Sequence, residues 1–539
     1  MFGATSRPKI APAVAPFAVT VAAIAVTWWW LGAPVALPPS PLAAGQKLYC
    51  VSYAPFRGAE DPLVEGTRVS ADEIDADLAL LSKYADCIRT YSVDDGRDDV
   101  LKSARRYGLK VLHGVWISND PAKTDRQIAT TIDLARKFPD VISAIIVGNE
   151  VLLRGEMTPS DLIARIREVK AQVSVPVSYA DVWEFWLRYR DVQNAVDFVT
   201  IHILPYWEDF PLPASLAADH VDSIRKQVAA AFPNKEILIG EVGWPSAGRM
   251  REGARPSPSN QARVVEDVVA LAKRENFRVN IIEAFDQPWK RWLEGTVGGY
   301  WGIIDRASAA PKFSFGGAVS DHPHWPMQAL AGIALAALTF GAAFAARRNS
   351  EPSRLWRKIA ALALPAALLF GWTIETVPLE SLGAGGWLRS LAFALVAAAA
   401  PIVCAAGCAA GQRPPPFAFV LGRASDRRDG LKCALGAVAI ALMLLSLQAA
   451  LGLVFDPRYR DIPFAPQTAA MVPFLVLQFS TPRVAGSRPT AETVAAAALA
   501  IAAVYIAVNE TIANWQALWF SAGLIGLAFT LVRVRDGQG

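Results

Sequence analysis

Little in this sequence is arranged to hold a metal or a phosphate. Five histidines and five cysteines are scattered through 539 residues, without the clustered ligands that a metal-dependent hydrolase needs. Cys404 and Cys408 form an isolated i,i+4 pair inside an apolar run. No Gly-rich phosphate loop follows the first strand-like run. No serine sits on a recognisable nucleophile elbow, and the apolar half shows no Asp motif of a nucleotide-sugar glycosyltransferase. No cofactor is therefore expected. Charge is scarce too: 19% of residues are charged and the net charge is +4, too small an excess to argue for nucleic acid.

What the chain does have is a division. Residues 48–315 are mixed and charge-bearing, whereas from Pro326 onward long Ala, Leu, Val and Ile runs dominate. A membrane span needs about 20 apolar residues. The first candidate covers 16–37, in a stretch free of charge from Ala11 to Gln46 and preceded by Arg7 and Lys9. A cleaved signal peptide has similar flanks, but this run is long and its Trp28-Trp29-Trp30 suits an interface, so an uncleaved anchor is expected. Further candidates cover about 326–346, 359–377, 390–411, 432–455, 463–480, 491–509 and 515–532.

With the N-terminus in the cytoplasm, three sets of basic residues fall on the cytoplasmic side. They are Arg347, Arg348, Arg354, Arg357 and Lys358; Arg413, Arg423, Arg427 and Arg428; and Arg483 and Arg488. Arg533 and Arg535 end on the same side. The opposite connections hold Glu375, Glu380, Glu510 and a mixed set of Asp456, Arg458, Arg460 and Asp461. This is the positive-inside pattern. It predicts a cytoplasmic segment 1–14, an anchor over 15–37 and a periplasmic domain over 45–318. A membrane domain of about seven helices over 326–533 and a cytoplasmic tail 534–539 complete the chain. The lipid bilayer is the expected partner of the second half. Its spans are rich in small residues that allow close packing. They carry no convincing interior carboxylate or Lys, which makes a transporter the weakest reading.

Within 48–315, short apolar runs alternate with amphipathic stretches. The runs are 48–53, 87–91, 110–116, 142–149, 176–179, 198–202, 237–241 and 279–285, and helical stretches include 71–84, 125–138, 159–172 and 260–274. Eight strands, mostly each followed by a helix, give an α/β fold of the (β/α)8 TIM-barrel type, followed here by an all-α multi-pass transmembrane domain. Chemistry in such a barrel gathers at the C-terminal strand ends. Those ends carry Tyr53, then Arg89 and Tyr91, Trp116, Asn149 and Glu150, His202 and Tyr206, Glu241 and Trp244, and Asp286, Trp289 and Lys290. Aromatic rings for sugar C–H faces, with carboxylates and amides for hydroxyls, suit a carbohydrate. His202 either contacts substrate, orients Glu241 or is a satisfied structural histidine; His322, His324 and Trp325 look like an interfacial linker.

Glu150 and Glu241 stand 91 residues apart, about three βα units, which fits strands four and seven on opposite sides of one mouth. Carboxyls ~5 Å apart there would suit retaining glycoside chemistry, one as nucleophile and the other as acid and then base. Val147-Gly148-Asn149-Glu150-Val151 and the run Ile237 to Ser246, Ile-Leu-Ile-Gly-Glu-Val-Gly-Trp-Pro-Ser, resemble the two catalytic motifs of family 17 glycoside hydrolases, the β-1,3-glucanases and β-1,3-glucanosyltransferases. The resemblance implies Glu150 as acid/base, Glu241 as nucleophile and Asn149 as a ligand of the sugar 2-hydroxyl. Phe285-Asp286-Gln287-Pro288-Trp289-Lys290 resembles the strand-eight motif of microbial members, with Gln287 where Glu is expected. A barrel of this kind joined to a polytopic half resembles bacterial proteins implicated in making periplasmic and cyclic β-glucans. The expected substrate is β-1,3-glucan, hydrolysed or re-joined, with β-1,6 linkages among the products and a membrane glucan synthase as a partner. A degradative glucanase and a non-catalytic glucan-binding or export protein are the alternatives. Cys50 and Cys87 open adjacent strands; buried thiols are expected ahead of a disulfide, because adjacent parallel strands give awkward bridge geometry.

Overall fold

The computed structural model describes residues 11–94, 96–347, 352–422, 429–481 and 485–535. The chain divides into two compact units, Pro34–Val319 and the remainder made of Met1–Ala33 with Ser320–Gly539.

The first unit is a closed barrel of eight parallel strands in sequence order. They are β1 Cys50–Ser52, β2 Cys87–Arg89, β3 Lys110–Val115, β4 Ile142–Asn149, β5 Val177–Val182, β6 Val199–His202, β7 Ile237–Val242 and β8 Val279–Ile281. All eight expected strands form, and β1, β2 and β8 are shorter than their apolar runs. The intervening helices start where their caps dictate. Ser70 and Glu73 make a reciprocal capping box at Ala71–Leu81. Asp120, Thr158 and Ser257 cap Pro121–Lys137, Pro159–Lys170 and Pro258–Glu275, each with a proline in the first turn. The prolines lack the amide hydrogen that a helix start leaves unbonded; the first and third of these helices begin ahead of their amphipathic stretches, and the second begins with its own.

Strand residues alternate between two apolar layers. Val51, Ile88, Val111, Ile145 and Val147 join the large core that includes the helices. Cys50, Cys87, Leu112, Ala144, Ile146, Ala180 and Leu238 form a separate cluster, the floor of the barrel lumen. The alternation that points Cys50 and Cys87 inward points Ser52 and Arg89 inward one step higher. Cys50 and Cys87 are joined as a disulfide with their Cα atoms 4.4 Å apart, which corrects the expectation of two thiols. Barrel curvature turns inward-facing neighbours toward each other, so the geometry is not that of a flat parallel sheet. The unit also begins before residue 45: Val35 bridges antiparallel to Val319, tying its two ends side by side.

The second unit is helical. Among the described residues, seven helices are long and apolar enough to cross a membrane: Pro12–Leu31, Trp325–Ala346, Arg354–Glu380, Gly383–Ala410, Gly430–Phe455, Thr490–Asn509 and Trp515–Val532. The eighth expected span is the 17-residue helix Phe464–Ser480, most of whose residues are buried, Gln467, Thr468 and Gln478 among them. The anchor helix ends at Leu31 rather than 37. Trp29 and Trp30 are exposed as a lipid-facing pair would be, while Trp28 is buried against His322 and Trp372.

The expectation of spans without interior acids is corrected at two places, and one base also lies inside a helix. Glu375 lies within a helix and meets His322 Nδ1 at 2.7 Å. Glu492 is buried and accepts the Phe417 amide at 2.6 Å. The helix starting at Gly383 takes in Arg389, outside the 390–411 run. Of the basic residues used for topology, Arg7, Lys9, Arg348, Arg423, Arg427, Arg428 and Arg483 lie outside the described residues.

Candidate active site

Four strand ends deliver one cluster. From β2, the buried Arg89 reaches across the lumen: its Nη1 donates to Gly240 O at 2.7 Å and to Glu241 Oε1 at 3.1 Å, and its Nη2 donates to Asn149 Oδ1 at 2.7 Å. Gly240 leaves room for this, since a Cβ there would stand 2.4 Å from the Thr200 methyl. Tyr91 donates its hydroxyl to Glu241 Oε1 at 2.8 Å and lies 2.8 Å from Ser52 Oγ. Both bonds to Glu241 fall on Oε1, and no hydrogen bond reaches Oε2 among the described residues.

β4 changes register between Ile146 and Asn149 and then runs through Gly148 at φ 91° to Glu150 at φ 54°. A non-glycine residue in that left-handed region costs about 1–3 kcal/mol, and the turn aims Glu150 at the cluster. His202, from β6, sits between the carboxylates, with Nδ1 2.8 Å from Glu150 Oε1 and Nε2 3.5 Å from Glu241 Oε1. Arg89 Nη1 is 3.2 Å from His202 Nε2. An arginine nitrogen can only donate, so Nε2 accepts and Nδ1 carries the proton given to Glu150. One oxygen of each carboxylate and a ring nitrogen of His202 lie within 4.8 Å of one another. The Arg89 guanidinium already supplies the positive charge at that point.

The electrostatics separate the carboxyls. Burial raises Glu150, but the hydrogen bond from His202 and the charges of Arg154 and Arg89 outweigh it and hold the group below the usual carboxylate range. Asp181, on β5, is pushed up to about 6 chiefly by burial, with Glu150 adding to the rise. Glu283 is pushed up to about 7 by burial, against the pull of Lys290, whose Nζ donates to it at 2.9 Å. Glu294 feels Lys290, Glu150 and Glu241, and Lys290 in turn feels Glu241.

Six of the thirteen expected site residues thus meet: Arg89, Tyr91, Asn149, Glu150, His202 and Glu241. Lys290 stands beside them. The other six have different partners. Tyr53 is buried and donates to Asp77 at 3.1 Å. Tyr206 donates to Arg249 O at 2.9 Å and Trp244 to Arg255 O at 2.9 Å, both from within the core. Asp286 binds Lys312 at 2.7 Å and is pushed up to about 6 by burial. Trp289 donates to Gln287 Oε1 at 2.9 Å, and Trp116 lies under the Arg154 guanidinium. Ser52, Asp181, Asn280 and Glu283 were not anticipated. Asn280 binds both Ser52 Oγ and Gly240 O, and a polar residue in the middle of a three-residue apolar strand was the signal for it.

A closed (β/α)8 barrel with two carboxylates converging at its C-terminal mouth is the architecture of a glycoside hydrolase. Residues 50–302 match the model of the BtgE/BtgC glycoside hydrolase domain. The chain is 26% identical over 261 residues to a glucan 1,3-beta-glucosidase of Candida albicans, a match spanning 44% of this chain and 85% of that protein. It is 28% identical over 243 residues to a glucan 1,3-beta-glucosidase of Schizosaccharomyces pombe, spanning 42% and 75% respectively. A solved glycoside hydrolase family 17 beta-1,3-glucanosyltransferase from Rhizomucor miehei aligns at 26% identity and a TM-score of 0.44, over 49% of this chain and 95% of its own.

Proposed function

We propose that this chain is a membrane-anchored retaining glycosidase that cuts or re-joins β-1,3-glucan on the periplasmic side of a bacterial inner membrane. The observation that carries the reading is the approach of Glu150 and Glu241 to within 4.8 Å across the barrel mouth. Retaining enzymes hold their carboxyls ~5–5.5 Å apart, and inverting enzymes leave room for a water between them. Glu241, with Oε1 held by Arg89 and Tyr91, presents Oε2 to the anomeric carbon as nucleophile. Glu150, protonated, gives its proton to the leaving oxygen, then takes one from the incoming acceptor. Asn149, fixed by Arg89, faces the sugar hydroxyl beside the reacting carbon. Lys290 and Glu294 supply further polar contacts.

Water as acceptor gives hydrolysis. A glucan hydroxyl as acceptor gives elongation, a branch or a ring, with β-1,6 linkages among the products, from polymer that a membrane glucan synthase supplies. Two features support the compartment: the basic residues at one set of helix connections, and the Cys50–Cys87 disulfide, which suits an oxidising space. The test is to incubate the full-length protein in detergent with linear β-1,3-gluco-oligosaccharides, beside a Glu241→Ala sample, and to analyse products by mass spectrometry and NMR. Longer or newly branched products establish transfer, and only shorter ones establish hydrolysis. Equal turnover by Glu241→Ala would sink the catalytic assignment in favour of a glucan-binding protein.

A further inference from the structure

The buried acids of the barrel mostly meet a cation. Asp77 meets Arg57 and Arg306, Glu241 meets Arg89, Glu283 meets Lys290 and Asp286 meets Lys312. Glu266 instead accepts the Gly316 amide at 2.7 Å. Asp181, on β5, is wholly buried and forms no ion pair among the described residues. Its carboxyl is pushed up to about 6 chiefly by burial, the cost of an acid held out of water without a counter-charge. Its two oxygens have separate partners: Oδ1 accepts the Val182 amide at 2.8 Å, and Oδ2 accepts the hydroxyl of Tyr179. The chemistry assigned to Glu150 and Glu241 makes no use of this pair.

Tyr179 leads back to the turn that carries Glu150. Its hydroxyl accepts the Leu152 amide at 3.0 Å. Its ring lies against Gly148, where an added Cβ would stand 3.3 Å from Cε2. The next residue, Ala180, accepts the Glu150 amide at 2.8 Å through its carbonyl. β5 therefore holds the amides of both Glu150 and Leu152. Glu150 lies in the left-handed region at φ 54°, a conformation that persists only where its surroundings over-determine it. The contact from Ala180 is backbone, and any residue there would supply it. The contact from Tyr179 depends on its side chain. A phenolic oxygen accepts from Leu152 only if its own hydrogen points elsewhere, and Asp181 takes that hydrogen. Such a chain of hydrogen bonds also polarises the hydroxyl and strengthens what it accepts. Trp186 steadies the ring from 5.6 Å between centroids, its indole N–H donating to Thr200 O at 2.8 Å.

We propose that Tyr179 and Asp181 are positioning residues for proton transfer: together they clamp the turn that carries Glu150 and fix where its carboxyl stands. Both act through the backbone of residues 150–152. The proposal rests on the reading of Glu150 as acid/base given above.

The test compares kcat/KM of the full-length protein in detergent on two substrates. With a linear β-1,3-gluco-oligosaccharide the first chemical step needs the proton of Glu150. With a dinitrophenyl β-1,3-glucobioside it does not, because the phenolate leaves without one. Tyr179→Phe keeps the ring and removes the hydroxyl. It should lower kcat/KM by ~10- to 100-fold on the oligosaccharide and leave the dinitrophenyl substrate near wild type. Asp181→Asn preserves the shape, but its NH2 end cannot accept, so one of the two donors loses its partner. It should give a smaller loss with the same selectivity, and it carries the test should Tyr179→Phe disturb folding. Glu150→Gln is the reference and should show that selectivity at larger amplitude. Equal loss on both substrates, or loss on neither, in the Tyr179 and Asp181 variants overturns the proposal while Glu150→Gln stays selective. If Glu150→Gln itself does not discriminate between the substrates, the acid/base reading falls, and the proposal with it.

Discussion

Two buried arginine–carboxylate networks stand at the barrel mouth, and they behave oppositely. In one, Asp77 accepts from Tyr53 and pairs with Arg57 at 2.6 Å and Arg306 at 2.8 Å. Burial still raises its carboxyl above the usual range, against both arginines. In the other, Glu150 is also desolvated yet sits below that range, because His202 donates directly to it and Arg154 and Arg89 add their charges. The first network is closed: Arg306 also donates to Phe56 O and to Pro55 O, so its donors are spent on the chain itself. The second has open valences, since Glu241 Oε2 lacks a partner among the described residues and Glu150 is only partly covered. The number of charges alone does not distinguish the proposed reactive site; the direction in which donors leave an oxygen free does.

That contrast can be broken most severely at Glu241. Glu241→Gln should lower kcat by ~10⁴-fold or more, as loss of a nucleophile does in other enzymes, with the melting temperature little changed. Glu150→Gln should cost ~10²–10⁴-fold on glucan, and much of that loss should return on an aryl glucoside whose leaving group needs no proton. In the closed network the result should invert. Arg306→Ala leaves Asp77 short of a partner and should destabilise the barrel by ~3–5 kcal/mol in denaturant titration, while kcat of the folded fraction stays near wild type. A matching loss of kcat would merge the two networks into one.

The smallest effect concerns pH. In the proposed mechanism Glu150 must be protonated for the first step, and the hydrogen bond from His202 draws its carboxyl below the usual range. His202→Phe removes the donor, so the pKa rises and a larger fraction of Glu150 carries a proton at any given pH. The alkaline limb of kcat/KM against pH should therefore move upward. A limb that stays in place would show that His202 does not set the proton affinity of Glu150.

Much of the fold was legible because short apolar runs alternate with amphipathic stretches, and Glu150 and Glu241 were singled out because each stands at the close of a mainly apolar strand run. The errors cluster where an aromatic residue at a strand end was taken to face substrate. Period-two alternation assigns Ser52 and Arg89 to the lumen and sends Tyr53 outward to Asp77, a distinction that proximity to the strand end does not contain. Tyr206 and Trp244 were misplaced for a related reason: a ring just beyond a strand serves the layer between loops and helices as readily as the mouth. The disulfide depended on curvature, which two cysteine positions do not encode. In the helical half, apolar runs marked the spans, but helix ends depend on capping and packing. The run expected from 390 consequently starts seven residues after the helix itself, which takes in Arg389.

The antiparallel bridge between Val35 and Val319 has a consequence for how such a molecule can be assembled over evolutionary time. Because entry and exit of the barrel unit are stitched together, and Gly32 O accepts from Ser320 Oγ just outside that stitch, the barrel is an insertion spliced into the helical chain at a single pair of adjacent ends. Exchanging that insertion requires matching only those two ends of the chain.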